Sequence, residues 1–480
     1  MHRSSLRSFL LNGSYQGLAN LYYLVVRAIY VVLFARILGV ELYGYYAYAN
    51  NWYVIWLPVA AWGMQELMIS QYARCEPGRR SALTDTGLGL RLLFSVGLAL
   101  LVVLAAIAVE PDPLLKSLII LYSQGILARG VSGWFCGLFM ARERSVYWLA
   151  ITVPSLTVEV LLALWLAYQQ AGLVAIAIAQ CAVWWATAFV SWLVYRNRFD
   201  RVGIRLDGEL VRFYVYNGFS LASAAFILGC LGPGLLIIYR YLITDLSLLG
   251  EIAFVLQLFV ILSQIIRVVS NSALPMLSRD SASGRHYLGG IAAAVCKQSL
   301  YLGGAMFVLC YWLLEPAVVR LVGEDFASAA GLFARHSWLL IPLCLMHAMR
   351  AILITTRHQH LYLLSILAGA AALGLQILFH VIMQQLDGEL LVESLGIAYA
   401  VIALLLVRFV RRERGGFGFR ELSFALLLFA ACLTLSLAVP YPAPIVAGLA
   451  GAIPLLSASG LELRSSRRRL GAAGKGSPVQ

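Results

Sequence analysis

The sequence predicts an all-α polytopic membrane protein with about 14 transmembrane helices, arranged as two six-helix lobes related by an internal repeat plus two C-terminal helices. Three observations carry that prediction. Of 480 residues, 61% are hydrophobic and 12% charged, and the mean hydropathy is +0.83, well beyond the roughly 45–50% apolar content of a soluble domain. The apolar residues fall into stretches of about 20, the length of helix that crosses ~30 Å of hydrocarbon. The cations gather in alternate connections between those stretches, the asymmetry that orients a membrane protein.

Breaking the chain at charged and Pro- or Gly-rich punctuation gives spans near 13–38, 44–72, 87–108, 114–140, 147–167, 173–195, 213–242, 250–274, 289–314, 331–355, 361–385 and 394–410. Two shorter stretches follow at 421–438 and 445–461, divided by Pro440-Tyr441-Pro442-Ala443-Pro444. The first span follows Arg3 and Arg7 without a small-residue cleavage pattern, so it reads as an uncleaved helix. The expected organisation is an N-lobe over 1–200, a C-lobe over 201–412, two additional spans over 413–463 and a basic tail over 464–480. The lobes rest on a short repeat. Asn12-Gly13 and Asn217-Gly218 open the first and seventh spans, and Arg36 and Arg240 are each followed by an acid (Glu41, Asp245) and a glycine (Gly44, Gly250).

The N-terminus, alternate loops and the tail hold 25 of the 36 Lys and Arg, while the opposite loops hold only Lys116 and Arg320. Both termini are therefore expected in the cytoplasm. The formal charge of +13 is divided among loops, spans and tail, and no nucleic-acid partner is expected. The eight cysteines lie in apolar stretches or cytoplasmic loops, which leaves no extracellular disulfide framework. The longest outer loop runs from Glu315 to about Gly331, too short for a separate catalytic domain, and its Glu324-Asp325 reads as a solvated turn.

A charge at mid-bilayer costs on the order of 2.5–3.5 kcal/mol, so ionisable residues within spans need a compensating environment. The basic ones are Arg27, Arg36, Arg91, Arg129, Arg240, Arg267, Lys297, Arg335 and Arg350, against only Glu66 and Glu159. Arg36, Arg91, Arg240, Arg335 and Arg350 fall near span ends, where a long side chain reaches headgroups. Arg27, Arg129, Arg267 and Lys297 lie deep and point to a cationic cavity, because guanidinium forks complement phosphate geometry. In the first span Gln16, Asn20, Tyr23, Arg27 and Tyr30 share one helical face. In the eighth span Gln264, Arg267 and Asn271 form a second stripe, and Trp56 stands on an aromatic face that continues toward Glu66. Glu66 and Glu159 either pair with an arginine or bind a coupling ion. Gly232-Pro233-Gly234 interrupts the seventh span and reads as a hinge.

No P-loop, zinc-spaced cysteine pair or G-x-S-x-G elbow is present, and no catalytic residue, metal site or cofactor is expected. His358 and His360 are close in sequence but read as solvated.

The run from Phe34 to Ala47, FARILGVELYGYYA, resembles the A-R-x-L-G-x-x-x-Y-G-x-Y signature of Wzx-type bacterial polysaccharide flippases of the MOP exporter superfamily. Gly63 to Arg74 continues the likeness, and Asn271-Ser272-Ala273-Leu274-Pro275-Met276-Leu277-Ser278 resembles the family's end to the eighth span. The resemblance covers about a fifth of the chain and implies a flippase in the bacterial plasma membrane. Its substrate would be an undecaprenyl-diphosphate-linked oligosaccharide destined for surface or exopolysaccharide. Its partners would be membrane lipids and the glycan polymerase and glycosyltransferases of the same pathway. Two alternatives stand beside it: an ion-coupled drug or metabolite antiporter of the same fold, and a membrane-embedded glycan polymerase or acyltransferase.

Overall fold

The computed structural model describes residues 3–72, 75–242, 245–272, 288–355, 358–383 and 388–414, together with Ala452, Leu455 and Ser457. Among them every regular element is a helix, the arrangement that satisfies backbone N–H and C=O groups inside one segment where no water reaches them. Eleven segments are long and apolar enough to cross a membrane. The chain is an all-helical multi-pass membrane protein.

The first of those segments, Asn12–Tyr72, has 61 residues, about 90 Å as straight helix. It does not run straight. Helix α1 (Arg3–Ala61) breaks at Gly39, whose φ of 73° and ψ of 173° lie in a region open essentially to glycine alone. Beyond the break the chain folds back, because the Tyr30 hydroxyl donates to that of Tyr46 at 3.3 Å, although 16 residues of straight helix would part them by about 24 Å. The rings of Phe34 and Tyr46 close the same corner at 4.7 Å. The first two expected spans are the two arms of this hairpin. The second arm ends at Ala61, and α2 (Met64–Tyr72) resumes after Trp62 and Gly63, both at positive φ.

Helices α3 (Pro77–Val109), α4 (Pro113–Ala141), α5 (Ser145–Tyr168), α6 (Leu173–Arg198), α7 (Gly208–Leu231) and α8 (Pro233–Leu242) follow through short connections. Their starts are written in the sequence. Asp112 precedes Pro113 and accepts the Leu114 and Leu115 amides, and Asp207 does the same for Glu209 and Leu210. The connection from α6 to α7 is laid along α3: the Gly203 amide donates to Asp85 at 2.9 Å and the Asp207 amide to Thr86 at 3.3 Å. Helix α3 begins at Pro77, ten residues before the span expected at 87. The seventh expected span is broken at Gly232, which caps α7 before Pro233 opens α8.

The chain divides into two compact units, Met1–Ala253 and Phe254–Gln480. Helices α7 and α8, expected in the second lobe, thus belong with the first unit. Small residues allow this. Gly218 sits under Trp62 with room for no Cβ, Gly63 meets Leu221, and Gly44 packs on Leu246 and Gly250. The indole N–H of Trp62 donates to the Val215 carbonyl at 3.0 Å, fixing the second arm of α1 to α7. A core of Met64, Met68, Trp134, Phe135, Leu138, Phe139, Tyr195 and Tyr214 joins α2, α4, α6 and α7.

The second unit takes the rest of α9 (Leu246–Ser272), then α10 (Leu288–Leu321), a short 3-10 turn (Glu324–Phe326), α11 (Ala327–His336), α12 (Leu340–Thr355), α13 (Gln359–Ile382) and α14 (Gly388–Arg414). Phe254 packs on Phe326 and Phe259 on Phe333, holding α9 against the turn and α11. Glu324 and Asp325 are exposed in the 3-10 turn, as a solvated turn requires, and Phe326 beside them is buried. The expected spans at 421–438 and 445–461 and the tail over 464–480 lie outside the described residues, save that Ala452 and Leu455 pack on Leu300, Tyr301 and Val308.

Gly39 has open space where a Cβ would stand, so backbone conformation alone demands glycine there. Gly39→Ala should lower stability by about 1–3 kcal/mol. Gly13→Ala, also in open space but at ordinary helical geometry, should leave it unchanged or slightly raised. Thermal melts of the two purified variants in detergent check both outcomes.

Candidate functional site

The polar face of the first arm of α1 is where the candidate site is built. Gln16 donates to the Ser145 hydroxyl at 2.9 Å, the Asn12 side chain accepts the Ser145 amide at 3.0 Å, and the Tyr22 and Thr157 hydroxyls are bonded. These contacts fasten the arm to α5. Asn20 and Tyr23 are exposed and Arg27 is half-buried one turn further on. The Arg27 guanidinium lies 5.0 Å from the Tyr30 ring and within electrostatic reach of Tyr23, Tyr46 and Glu159.

Arg129 reaches the same region from α4. One of its terminal nitrogens donates to both oxygens of Glu159 on α5, at 2.8 and 2.9 Å. Its guanidinium also lies over Trp184 at 4.4 Å and near Tyr53 at 6.0 Å. Glu159 is nearly enclosed, with a side chain 7% exposed against 25% for Arg129. One acid within spans is thus paired with one cation. Arg27 makes no ion pair among the described residues, so it carries the uncompensated charge of this group.

Behind the cations runs a hydrogen-bonded chain: Tyr122 donates to Gln180 at 2.8 Å, Gln180 to Tyr30 at 3.1 Å, and Tyr30 on to Tyr46. Tyr30 therefore departs from its expected place on the open stripe. It is 1% exposed, because the second arm of α1 covers this face near the fold-back at Gly39. Gln180 and Trp184 were not singled out from the sequence. Their spacing of four on α6 was the available signal, although polar and aromatic residues four apart on a helix are common.

Other expected site residues lie elsewhere. Trp56 packs on Phe226 of α7, with ring centres at 5.3 Å. Glu66 is exposed on α2, and the stripe drawn through Trp56 to it is interrupted, because the helix breaks at Trp62 and Gly63. Arg91, expected to reach headgroups, is 6% exposed and lies about four turns into α3. Its Nε and the Ser95 hydroxyl are buried without a hydrogen-bond partner among the described residues, against the backbone of Gly130, and Glu66 is an acid within electrostatic reach. In the second unit Gln264 and Lys297 are half-buried on α9 and α10. The α9 backbone is helical through Arg267 and Asn271, whose side chains lie outside the described residues. His358 and His360 lie with rings 6.0 Å apart, and no cluster of metal-ligating side chains occurs among the described residues.

No family model matches the chain, and no curated protein does. Solved structures do. The chain is similar to the lipid II flippase MurJ in an inward closed conformation, with a TM-score of 0.70 and 12% identity over 95% of this chain and 99% of that one. It is similar to an inward-facing multidrug resistance MATE family transporter of the MOP superfamily, with a TM-score of 0.64 and 12% identity over 82% and 98%. The Vibrio cholerae MATE transporter VcmN matches at 0.56 and 12% over 85% and 98%. The chain has the fold of MOP superfamily transporters.

Breaking a buried ion pair strands a charge at a cost of about 3–5 kcal/mol, whereas replacing both partners by apolar groups is often near neutral. Arg129→Leu alone and Glu159→Leu alone should therefore each destabilise strongly, and the double replacement should recover most of the loss. A double-mutant cycle from denaturation midpoints in detergent measures the coupling.

Proposed function

We propose that this chain is a flippase that moves an undecaprenyl-diphosphate-linked oligosaccharide from the inner to the outer leaflet of the bacterial plasma membrane, for surface or exopolysaccharide synthesis. One observation carries the reading: Arg27 is a cation that makes no ion pair among the described residues, beside exposed Asn20 and Tyr23 on a polar face. A guanidinium in that setting suits a diphosphate, whose oxygens accept its paired N–H donors. The likeness to a lipid II flippase supports a lipid-linked substrate. The resemblance of the Phe34–Ala47 run to Wzx-type flippases supports an oligosaccharide cargo.

The mechanism is alternating access, with the break at Gly232-Pro233-Gly234 as a hinge. The diphosphate sits on Arg27. Arg129 helps electrostatically, but Glu159 holds most of its charge. An outward-moving anion also gains ~2.3 kcal/mol per charge per 100 mV from an inside-negative potential, so no nucleotide is needed. Both termini lie in the cytoplasm, the glycan polymerase and glycosyltransferases of the pathway act around this step, and the chain itself performs no chemistry.

The burial of Glu159 favours one second reading. A carboxylate that exchanges Arg129 for a proton would serve an ion-coupled antiporter of the same fold, and a multidrug resistance MATE family transporter is among the similar structures.

Deleting the gene should raise polyprenyl-diphosphate-linked oligosaccharide in lipid extracts and remove surface glycan, as read by mass spectrometry. Unchanged lipid-linked glycan with new sensitivity to small toxic compounds favours the antiporter. In complementation, Arg27→Ala should abolish export in protein that still inserts, and Arg27→Lys should restore part of it, because charge returns without the fork.

A further inference from the structure

We propose that the cavity at the C-terminal end of α10 is a saccharide-binding site for the glycan part of the cargo, an inference that rests on the lipid-linked glycan reading. The cavity has a volume of ≈ 590 Å³ and is lined by Tyr311, Trp312, Glu315, Arg320 and Arg335, with Pro316, Val319, Gly331 and Ala334 behind them. That volume is within the range of about 300–1,000 Å³ of small-molecule sites. All of it lies in the second unit, between the end of α10 and α11.

The lining selects a chemistry. Tyr311 and Trp312 stand nearly perpendicular, ring centres 5.4 Å apart and planes at 82°, which gives two aromatic faces at one corner. Such faces suit the C–H side of a sugar ring, and each ring also carries a polar handle. The Trp312 indole N–H is buried without an acceptor among the described residues, a donor that an oxygen-rich ligand would satisfy. Arg320 brings donors only and Glu315 acceptors only, and neither is engaged in an ion pair among the described residues. Arg335 is already held by Glu389 at 3.0 Å.

A simple anion such as phosphate meets the Glu315 carboxylate, and a cationic ligand meets two guanidinium groups. Sugar hydroxyls both donate and accept, so they answer Arg320, Glu315 and Trp312 together. The position fits as well. Arg320 lies in one of the connections that the distribution of cations assigns to the outside, where a translocated glycan emerges. Site and cargo then meet at the end of the transport cycle.

The test uses the full chain in lipid nanodiscs and, as probe, the oligosaccharide freed by mild acid from the lipid-linked fraction of the source cells, which carries neither diphosphate nor polyprenyl. Titration should quench tryptophan fluorescence saturably, and inorganic phosphate should not. Trp312→Phe, which keeps the ring and loses the N–H, and Arg320→Ala should each weaken binding at least about tenfold. Gly13→Ala, in open space on α1, should leave it unchanged. Absence of saturable binding by the oligosaccharide, or equal binding by Trp312→Phe and Arg320→Ala, overturns the assignment. Accumulation of lipid-linked glycan in the deletion strain reports on the transport reading by itself, so a pocket that fails while that glycan accumulates removes only this inference.

Discussion

A guanidinium inside an apolar helical bundle must be neutralised, solvated or given to a ligand, and the first unit is organised around that constraint. Arg129 is neutralised. Glu159 supplies the countercharge from the neighbouring helix, and Trp184 and Tyr53 supply aromatic faces. Because Glu159 is committed to Arg129, Arg27 makes no ion pair among the described residues and stands on a face that also carries exposed Asn20 and Tyr23. The pair thus does two things. It ties α4 to α5 at depth, and it leaves neighbouring Arg27 without an ion pair among the described residues.

The backbone makes that arrangement possible. The fold-back at Gly39 brings the second arm of α1 over the first, so that Tyr30 and Tyr46 meet and the chain Tyr122–Gln180–Tyr30–Tyr46 can form. That network spends its hydroxyls and amide internally, which leaves it rigid and poorly suited to contact cargo. Glycines at 44, 63, 218 and 250 let helices approach with no side chain between them. In hydrocarbon, where apolar burial against a partner helix brings little over burial in lipid, such close contacts are a main source of association.

Much of this was legible in the sequence. Eleven segments among the described residues are long and apolar enough to be spans, as the apolar stretches of the sequence lead one to expect, because length and hydropathy are direct consequences of bilayer thickness. The break at Gly232-Pro233 could be read because proline withholds a backbone donor. What escaped was tertiary. Starting the third span at 87 put Arg91 near an end, whereas Pro77 opens the helix ten residues earlier and places that arginine in the interior. Helical periodicity placed Tyr30 on the open stripe, but a period cannot tell which part of a face the returning arm will cover. The line from Trp56 to Glu66 assumed an unbroken helix, and Trp62 at φ 47°, held by its bond to Val215, breaks it. Pairing between Arg129 and Glu159, 30 residues apart on different helices, needs three-dimensional register that no local pattern supplies.

The central claim is that Arg27, and not the Arg129–Glu159 pair, holds the anionic group of the cargo. The affinity of undecaprenyl diphosphate for the full chain in nanodiscs tests this most directly when Arg27→Ala is compared with the double variant Arg129→Leu/Glu159→Leu. The account predicts at least about a tenfold loss for Arg27→Ala, or ~1.4 kcal/mol, and an affinity close to that of the unaltered chain for the double variant. Unchanged binding in Arg27→Ala, with loss in the double variant, would contradict it.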